Sequence, residues 1–398
     1  MSKQIQDAYI VAATRLPVAR RNGMFANARP DDMLAHAIRS VVAQVPALDP
    51  ARIGDVIVGC AIPEAEQGMN VARIGALLAG LPNTVPGITV NRFCASGLQA
   101  VADAANQIRL GLADVMIAAG TESMTAMSAI MGNKVAPNPV LFSDENIGIA
   151  YGMGLTAERV AQRWEISREA QDVFAAASHR KACDAIAGGH FKAEIAPFSV
   201  CDHVPDLVTG EVRQRARTPT DDEGARRDVS VDTLARLRPV FDAKGSVTAG
   251  NASQMSDGAG SVMLVSERVV KEHGLTPLAR FAGYAVAGVA PEIMGVGPIV
   301  AIPKVLRRVG IGAQDLDWIE LNEAFAAQAL AVIKELGLDP SKINPLGGAI
   351  ALGHPLGATG AIRTATLLHG LCRTGGKYGM VSMCVGTGMG AAGVFERL

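Results

Sequence analysis

Short apolar runs alternate with longer helical patterns from the start of the chain: "AYIVAATR", "DDMLAHAIRSVVAQV", "DVIVGC", "VARIGALLAGL", "GITVNRF", "GLQAVADAANQIRLG" and "VMIAAGTE". The short runs are apolar throughout, which reads as βα units whose strands are buried on both faces. The rhythm returns near the end in "LAVIKELGL", "KINPLGGAIALG", "GAIRTATLLHGLCR", "YGMVSMCV" and "AAGVFERL", so two halves of similar plan are expected. Such layers need close backbone contact, and 43 glycines with only 4% aromatic residues suit that need.

From about Met124 to Ala249 the pattern breaks into prolines, glycines and the charged run "GEVRQRARTPTDDEGARRDVS". This reads as an inserted surface domain with one firm helix in "SREAQDVFAAASHRKACDAIAGG", opened by Ser167. The expected fold class is α/β: two similar βα halves with central sheets and buried helices, plus an inserted loop domain. The first half takes residues 1–123 with 250–275, the insertion 124–249 and the second half 276–398.

Several function classes drop out. With 37 basic and 38 acidic residues the net charge is −1, so no global field recruits nucleic acid or an anionic membrane, and an anionic ligand must meet a local basic patch. No apolar run reaches the roughly 20 residues of a membrane span, and the N-terminus lacks a basic-then-apolar export signal, so a soluble, cytoplasmic protein is expected. The six cysteines, at 60, 94, 183, 201, 372 and 384, form no CxxC pair, which points to free thiols and to no metal site. "GTGMGAAG" spells GxGxxG after a strand, but a dinucleotide fingerprint needs a following helix and an acidic residue about 20 positions on. The chain ends five residues after Gly393.

Four connections carry chemistry-bearing side chains. Cys94 in "NRFCASG" sits between a strand-type and a helix-type run, where the orphan N–H groups of a helix start favour a thiolate. Taken alone it is equally a small core residue. His354 in "GGAIALGHPLGATG" precedes a proline that holds its backbone extended, among glycines that admit close neighbours; a lone histidine there is more often structural. Cys384 in "SMCVGTGMG" follows a strand and precedes glycines whose N–H groups could face an oxyanion. Asn322 and Glu323 in "ELNEAFAAQ" lie at a strand-to-helix turn, where an asparagine commonly caps the helix.

Together, in this order and at these distances, the four loops resemble those of the thiolase family, and the likeness extends over essentially the whole chain, including "LRPVFDAKGSVTAGNASQMSDGA". The resemblance implies two thiolase halves with a loop domain that binds coenzyme A, usually in a homodimer or homotetramer. It makes Cys94 the acyl-accepting nucleophile, His354 its base and Cys384 a second acid/base. His354 with Asn322 would face one oxyanion, the N–H groups of Cys94 and Gly386 the other, with Glu323 in support. Substrate contacts would come from Arg226 or Arg227, Ser253, Met153, Ala324 and Phe325, while Arg213, Arg215 and Arg217 read as a solvated face. Coenzyme A is a substrate, and no cofactor or metal is implied.

The implied reaction is coenzyme A-dependent cleavage of a 3-ketoacyl-CoA, as in degradative thiolases. Biosynthetic acetoacetyl-CoA thiolases usually carry His-Met where this chain has Gly152-Met153, a change that leaves room for a longer acyl chain. Ala95 and Thr387 stand where many members have glycine. The acetoacetyl-CoA reaction is the alternative, and a non-catalytic coenzyme A or lipid carrier of the same fold is a third reading; carriers usually lose a catalytic side chain.

Overall fold

The computed structural model describes residues 5–128 and 136–398. All seven expected runs in the first half fold as read: β1 (Ala8–Arg15), helix Pro30–Ala43, β3 (Asp55–Gly59), helix Val71–Leu78, β4 (Gly87–Val90), helix Ser96–Arg109 and β5 (Val115–Ser123); the short β2 (Ala19–Arg20) comes in addition. The insertion contributes helices Met153–Arg163 and Arg168–Ala187 and a hairpin of β6 (Val200–Pro205) and β7 (Val212–Arg217). Strands β8 (Ser256–Ser266), β9 (Ala279–Gly288), β10 (Leu316–Leu321), β11 (Tyr378–Val385) and β12 (Met389–Glu396) complete the chain, with helix Thr359–Thr374 entering β11.

One sheet path runs β4-β3-β5-β8-β1 and continues β9-β12-β11-β10, with β2 against β8. The halves meet where Tyr9 and Ile10 of β1 oppose Arg280 and Ala279 of β9. Strand β3 is parallel to β4 and β5, and β10 to β11, as βα units require. Strand β8 comes back from the insertion antiparallel to β5, with Ser123 opposite Asp257, so the insertion leaves and re-enters at one point of the sheet.

Alternation along each strand separates two cores. In β5, Ile117 and Ala119 join Leu34, Ile38 and Val41 of helix Pro30–Ala43, whereas Met116 and Ala118 face Leu98 and Val101 of helix Ser96–Arg109. The second half repeats this: Met380 packs with Ile302 and Val305, while Val381 and Met383 pack with Leu367 and Leu368. Helices Ser96–Arg109 and Thr359–Thr374 therefore lie on the same side, and they touch backbone to backbone. A Cβ on Gly360 would lie 2.0 Å from the Leu98 nitrogen, and one on Gly97 2.7 Å from the Ala361 nitrogen. Only glycine permits that approach, and it draws the Cys94 and His354 connections together.

Two expectations change and two hold. The strand read in "KINPLGG" shrinks to a single bridge between Ile319 and Ile343, because Asn344 turns the chain in the left-handed region at φ 43°. The charged stretch holds the β6–β7 hairpin, on which Arg213 pairs with Asp206 and Arg217 with Asp202 across the strands. The GxGxxG run forms the β11–β12 turn, where Gly388 takes φ 89°, and the segment after it is strand rather than helix. Ser167 does cap its helix, its Oγ accepting from Ala170 N at 3.1 Å.

Candidate functional site

Four loops converge at the ends of β4, β10 and β11 and at the start of helix Thr359–Thr374. Cys94 follows Phe93, whose backbone takes φ 43°, a strained left-handed conformation for a bulky residue. Local bonds fix it there: Phe93 N donates to Asn91 Oδ1 at 2.8 Å, and Ser96 Oγ donates to Phe93 O at 2.6 Å. The outcome turns Cys94 to the start of helix Ser96–Arg109, with its side chain almost fully buried.

Burial pushes the Cys94 thiol up to about 11, against the pull of two N–H groups that reach its sulfur, those of Gly386 and of Cys94 itself. The expected stabilised thiolate is therefore corrected. Helix-start donors are present, but desolvation outweighs them and Cys94 rests as a thiol. Cys384, at the end of β11, is fully buried beside Met294, Ala324 and Phe325, and burial together with the nearby Cys94 sulfur pushes its thiol up as well.

His354 presents one defined face. Thr359 Oγ1 lies 2.6 Å from His354 Nδ1 and donates its own proton to Pro355 O at 2.9 Å. With that hydroxyl proton committed, Nδ1 carries the ring proton and Nε2 keeps its lone pair. Asn322 Nδ2 reaches Nε2 at 3.3 Å. Burial, and secondarily the positive charge of Arg363, pull the imidazole down to about 3, so it is neutral at physiological pH. Asn322 does not cap the next helix; Phe325 occupies that position, and Gln328 Nε2 holds the Asn322 carbonyl at 3.3 Å.

Glu323 is wholly committed to neighbours. Its carboxylate accepts from Ser178 Oγ at 2.6 Å, Asn344 Nδ2 at 2.7 Å and Ile350 N at 3.2 Å, tying the insertion to the histidine loop. Gly348 passes so close that a Cβ there would collide with this carboxyl group.

Met153 and Phe93 flank Gly386: a Cβ on Gly386 would lie 3.6 Å from the Phe93 ring and 3.9 Å from the Met153 sulfur. Phe325 stacks edge-on to Phe241 at 6.1 Å, and Ser253 N donates to Ala324 O at 2.9 Å, which joins these residues into one wall. Around Gly152 a Cβ would meet nothing within 4 Å. A cavity of about 490 Å³ reaches toward the histidine loop from the insertion, lined by Arg20, His179, Arg226, Thr233, Gly250 and Ile350. Arg226 borders it while also pairing with Asp228 at 2.7 Å; Arg227 borders a neighbouring cavity instead and donates to Cys183 O at 3.3 Å.

Sequence reasoning missed Thr359, His179 and Phe93. Thr359 had a signal, a hydroxyl in the tight return "HPLGAT"; the other two carry no mark until the loops are assembled. Among the described residues no group of three or more His, Cys, Asp or Glu side chains is arranged to hold a metal ion. No helix among them is long and apolar enough to cross a membrane.

Residues 8–268 match the family model "Thiolase, N-terminal domain" and residues 275–397 match "Thiolase, C-terminal domain". The chain is 47% identical to a 3-ketoacyl-CoA thiolase of Bacillus subtilis (strain 168), over 98% of this chain and 100% of that one. It is 46% identical to the peroxisomal 3-ketoacyl-CoA thiolase A of Mus musculus, over 98% of this chain and 91% of that one. Among solved structures it resembles the Bacillus anthracis acetyl-CoA acetyltransferase, with TM-score 0.90 and 39% identity, and human mitochondrial 3-ketoacyl-CoA thiolase, with TM-score 0.88 and 37% identity. Each covers 100% of both chains.

Proposed function

The chain belongs to the thiolase family, and from that premise we propose that Cys94, His354, Asn322 and Cys384 carry out coenzyme A-dependent cleavage of 3-ketoacyl-CoA. The observation that carries this reading is a thiol and a neutral imidazole whose unprotonated Nε2 meets only the Asn322 amide, held in abutting connections, beside a second buried thiol.

In the first half-reaction, Nε2 of His354 removes the Cys94 proton as the sulfur attacks the 3-keto carbon. A thiol near 11 and an imidazole near 3 disfavour a preformed ion pair, so proton transfer accompanies carbon–sulfur bond formation. The bond between C2 and C3 then breaks, leaving the acyl group on Cys94 and an acetyl-CoA enolate that takes its proton from Cys384. In the second half, the thiol of coenzyme A attacks the acyl-enzyme; its proton restores Cys384, and His354 returns its proton to Cys94. A thioester on cysteine exchanges with one on coenzyme A at little cost, which suits a reversible reaction. The N–H groups of Cys94 and Gly386 would face one oxyanion, and His354 with Asn322 the other.

The open space at Gly152 supports acyl chains longer than four carbons, over the acetoacetyl-CoA reaction suggested by the acetyl-CoA acetyltransferase likeness. The 490 Å³ cavity with Arg226 suits the phosphate-bearing end of coenzyme A, and Ser253, Met153, Ala324 and Phe325 its thiol arm. Among the described residues the outer edge of strand β4 is unpaired, with Ile88 of that strand 48% and nearby Met69 90% exposed, which favours a homodimer or homotetramer built on that edge. Because both active-site cysteines must stay thiols while lying close together, a reducing, cytoplasmic setting fits them.

The test is thiolysis of a four-carbon and a longer 3-ketoacyl-CoA by the wild-type protein and by Cys94→Ala. Activity on both, abolished in the variant, supports the reading. Turnover of the four-carbon substrate alone selects the acetoacetyl-CoA reaction, and no turnover of either removes the catalytic reading.

A further inference from the structure

Glu122, near the end of β5, is a carboxylate with no exposure to solvent and, among the described residues, no ion-pair partner. It accepts from Ala61 N at 2.8 Å, Ile62 N at 3.3 Å and Gly357 N at 2.8 Å, and from Gln67 Nε2. The thiol of Cys60 lies 3.9 Å away. A carboxylate satisfied by four N–H donors can stay ionised in the interior, although burial raises its pKa.

The partners make this residue more than a core brace. Gly357 belongs to the histidine loop, three residues after His354. Ala61 is held at its nitrogen by Glu122 and at its carbonyl by Asn91 Nδ2, at 2.9 Å. Asn91 in turn fixes the strained Phe93 before Cys94. Glycine at 357 is obligatory, since a Cβ would lie 2.8 Å from Glu122 Oε2 and 2.6 Å from Ala61 N. The chain Gly357–Glu122–Ala61–Asn91–Phe93 thus runs from one reacting loop to the other.

Resting on the reading of Cys94 and His354 as partners, we infer that Glu122 is a positioning residue that sets the spacing between the nucleophile and its base, without touching substrate. Oε2 takes the Ala61 and Gly357 N–H groups and Oε1 those of Ile62 and Gln67, so in glutamine an amide NH2 would face two donors at the Oε1 place and push the linking oxygen off its position, and aspartate would be too short to span it.

The experiment compares wild type, Glu122→Gln, Glu122→Asp and Asn91→Ala, the last an exposed side chain whose loss leaves the core intact. Steady-state thiolysis is measured beside alkylation of Cys94 by iodoacetamide, quantified on the Cys94 peptide across pH 7 to 11, with thermal melting as a check of folding. Thiolysis needs His354 at the sulfur, whereas alkylation at high pH needs only the thiolate. A misplacement of about 1 Å costs about 100-fold in rate. The expected result is therefore a fall in kcat of that order for both Glu122 variants and about tenfold for Asn91→Ala, with KM within about threefold. Alkylation at high pH should be unchanged. In Glu122→Gln the Cys94 alkylation profile should also move to lower pH, because the negative charge of Glu122 adds to the burial that holds that thiol up. Glu122 is the charged group that acts on this thiol, and Cys384 beside it is a titratable group that burial keeps a neutral thiol over this range.

Folded Glu122 variants with kcat within threefold of wild type would overturn the inference. So would a kcat loss matched by an equal loss of high-pH alkylation, which marks a collapsed site. Should the Glu122 variants fail to fold, Asn91→Ala alone decides by the same two readouts. A wild-type protein without thiolysis would instead refute the proposed function and leave the loop linkage to be read from alkylation.

Discussion

Replacing Thr359 with valine removes one hydroxyl while keeping the shape of the side chain. In the native site that oxygen accepts from His354 Nδ1 at 2.6 Å and is itself anchored to Pro355 O. Valine leaves a buried N–H without a partner, a cost of about 1 to 3 kcal/mol. The imidazole escapes that cost by moving its proton to Nε2, where Asn322 Oδ1, buried and otherwise unpartnered, can accept it after an amide turn. The native tautomer then loses about 1 to 3 kcal/mol of its advantage, which at 1.36 kcal/mol per factor of ten lowers the competent fraction about 5- to 150-fold. The prediction for Thr359→Val is a fall of that size in kcat for thiolysis and in the rate of single-turnover acylation of Cys94. The KM for acyl-CoA should be unchanged, and Thr359→Ser should recover most of the rate. Unfolding by denaturant should show a loss of no more than about 3 kcal/mol. A folded Thr359→Val enzyme with kcat within twofold of wild type would refute the assignment of Nε2 as the basic atom.

Three further outcomes follow from the geometry. Gly152→His should fold normally, since a Cβ there meets nothing within 4 Å, and should lower kcat/KM for long-chain relative to four-carbon 3-ketoacyl-CoA by at least about tenfold; equal losses on both substrates would show that the side chain does not face the acyl pocket. Gly360→Ala would drive a Cβ to 2.0 Å from the Leu98 backbone nitrogen, so its denaturant stability should fall by at least about 3 kcal/mol, and a loss below 1 kcal/mol would mean the two helices are not in backbone contact. His354, pulled down from 6.5 to about 3, stays neutral in the folded chain while the unfolded chain takes up a proton below pH 6.5; stability is therefore lost as pH falls through that window, about 3 kcal/mol by pH 4. Because His179, pulled down to about 4, adds a loss of the same sign, the check is the difference in acid sensitivity between wild type and His354→Asn, which should lose less.

The apolar runs determined most of the elements. Strands β1, β3, β5 and β11 and helices Pro30–Ala43, Ser96–Arg109, Arg168–Ala187 and Thr359–Thr374 follow from local period, with a side-chain cap only at Ser167, and need no knowledge of distant partners. The placement of Cys94, Cys384 and His354 in connections was equally local, as was the rejection of a dinucleotide site at Gly388. What the tertiary structure alone decided involves pairs far apart in the chain. Asn322 reads as a helix cap until His354, 32 residues on, is brought to its amide. Cys94 reads as an activated thiolate until surrounding groups exclude water from it and raise its pKa. Glu122, one acid in an apolar strand, has no local mark at all; its meaning lies in Ala61, 61 residues before it, and Gly357, 235 residues after it. Local pattern is set by the energy of neighbouring residues, but burial and long-range hydrogen bonds exist only after the two halves have closed around each other, and those are the terms that fix protonation states and spacing in the site.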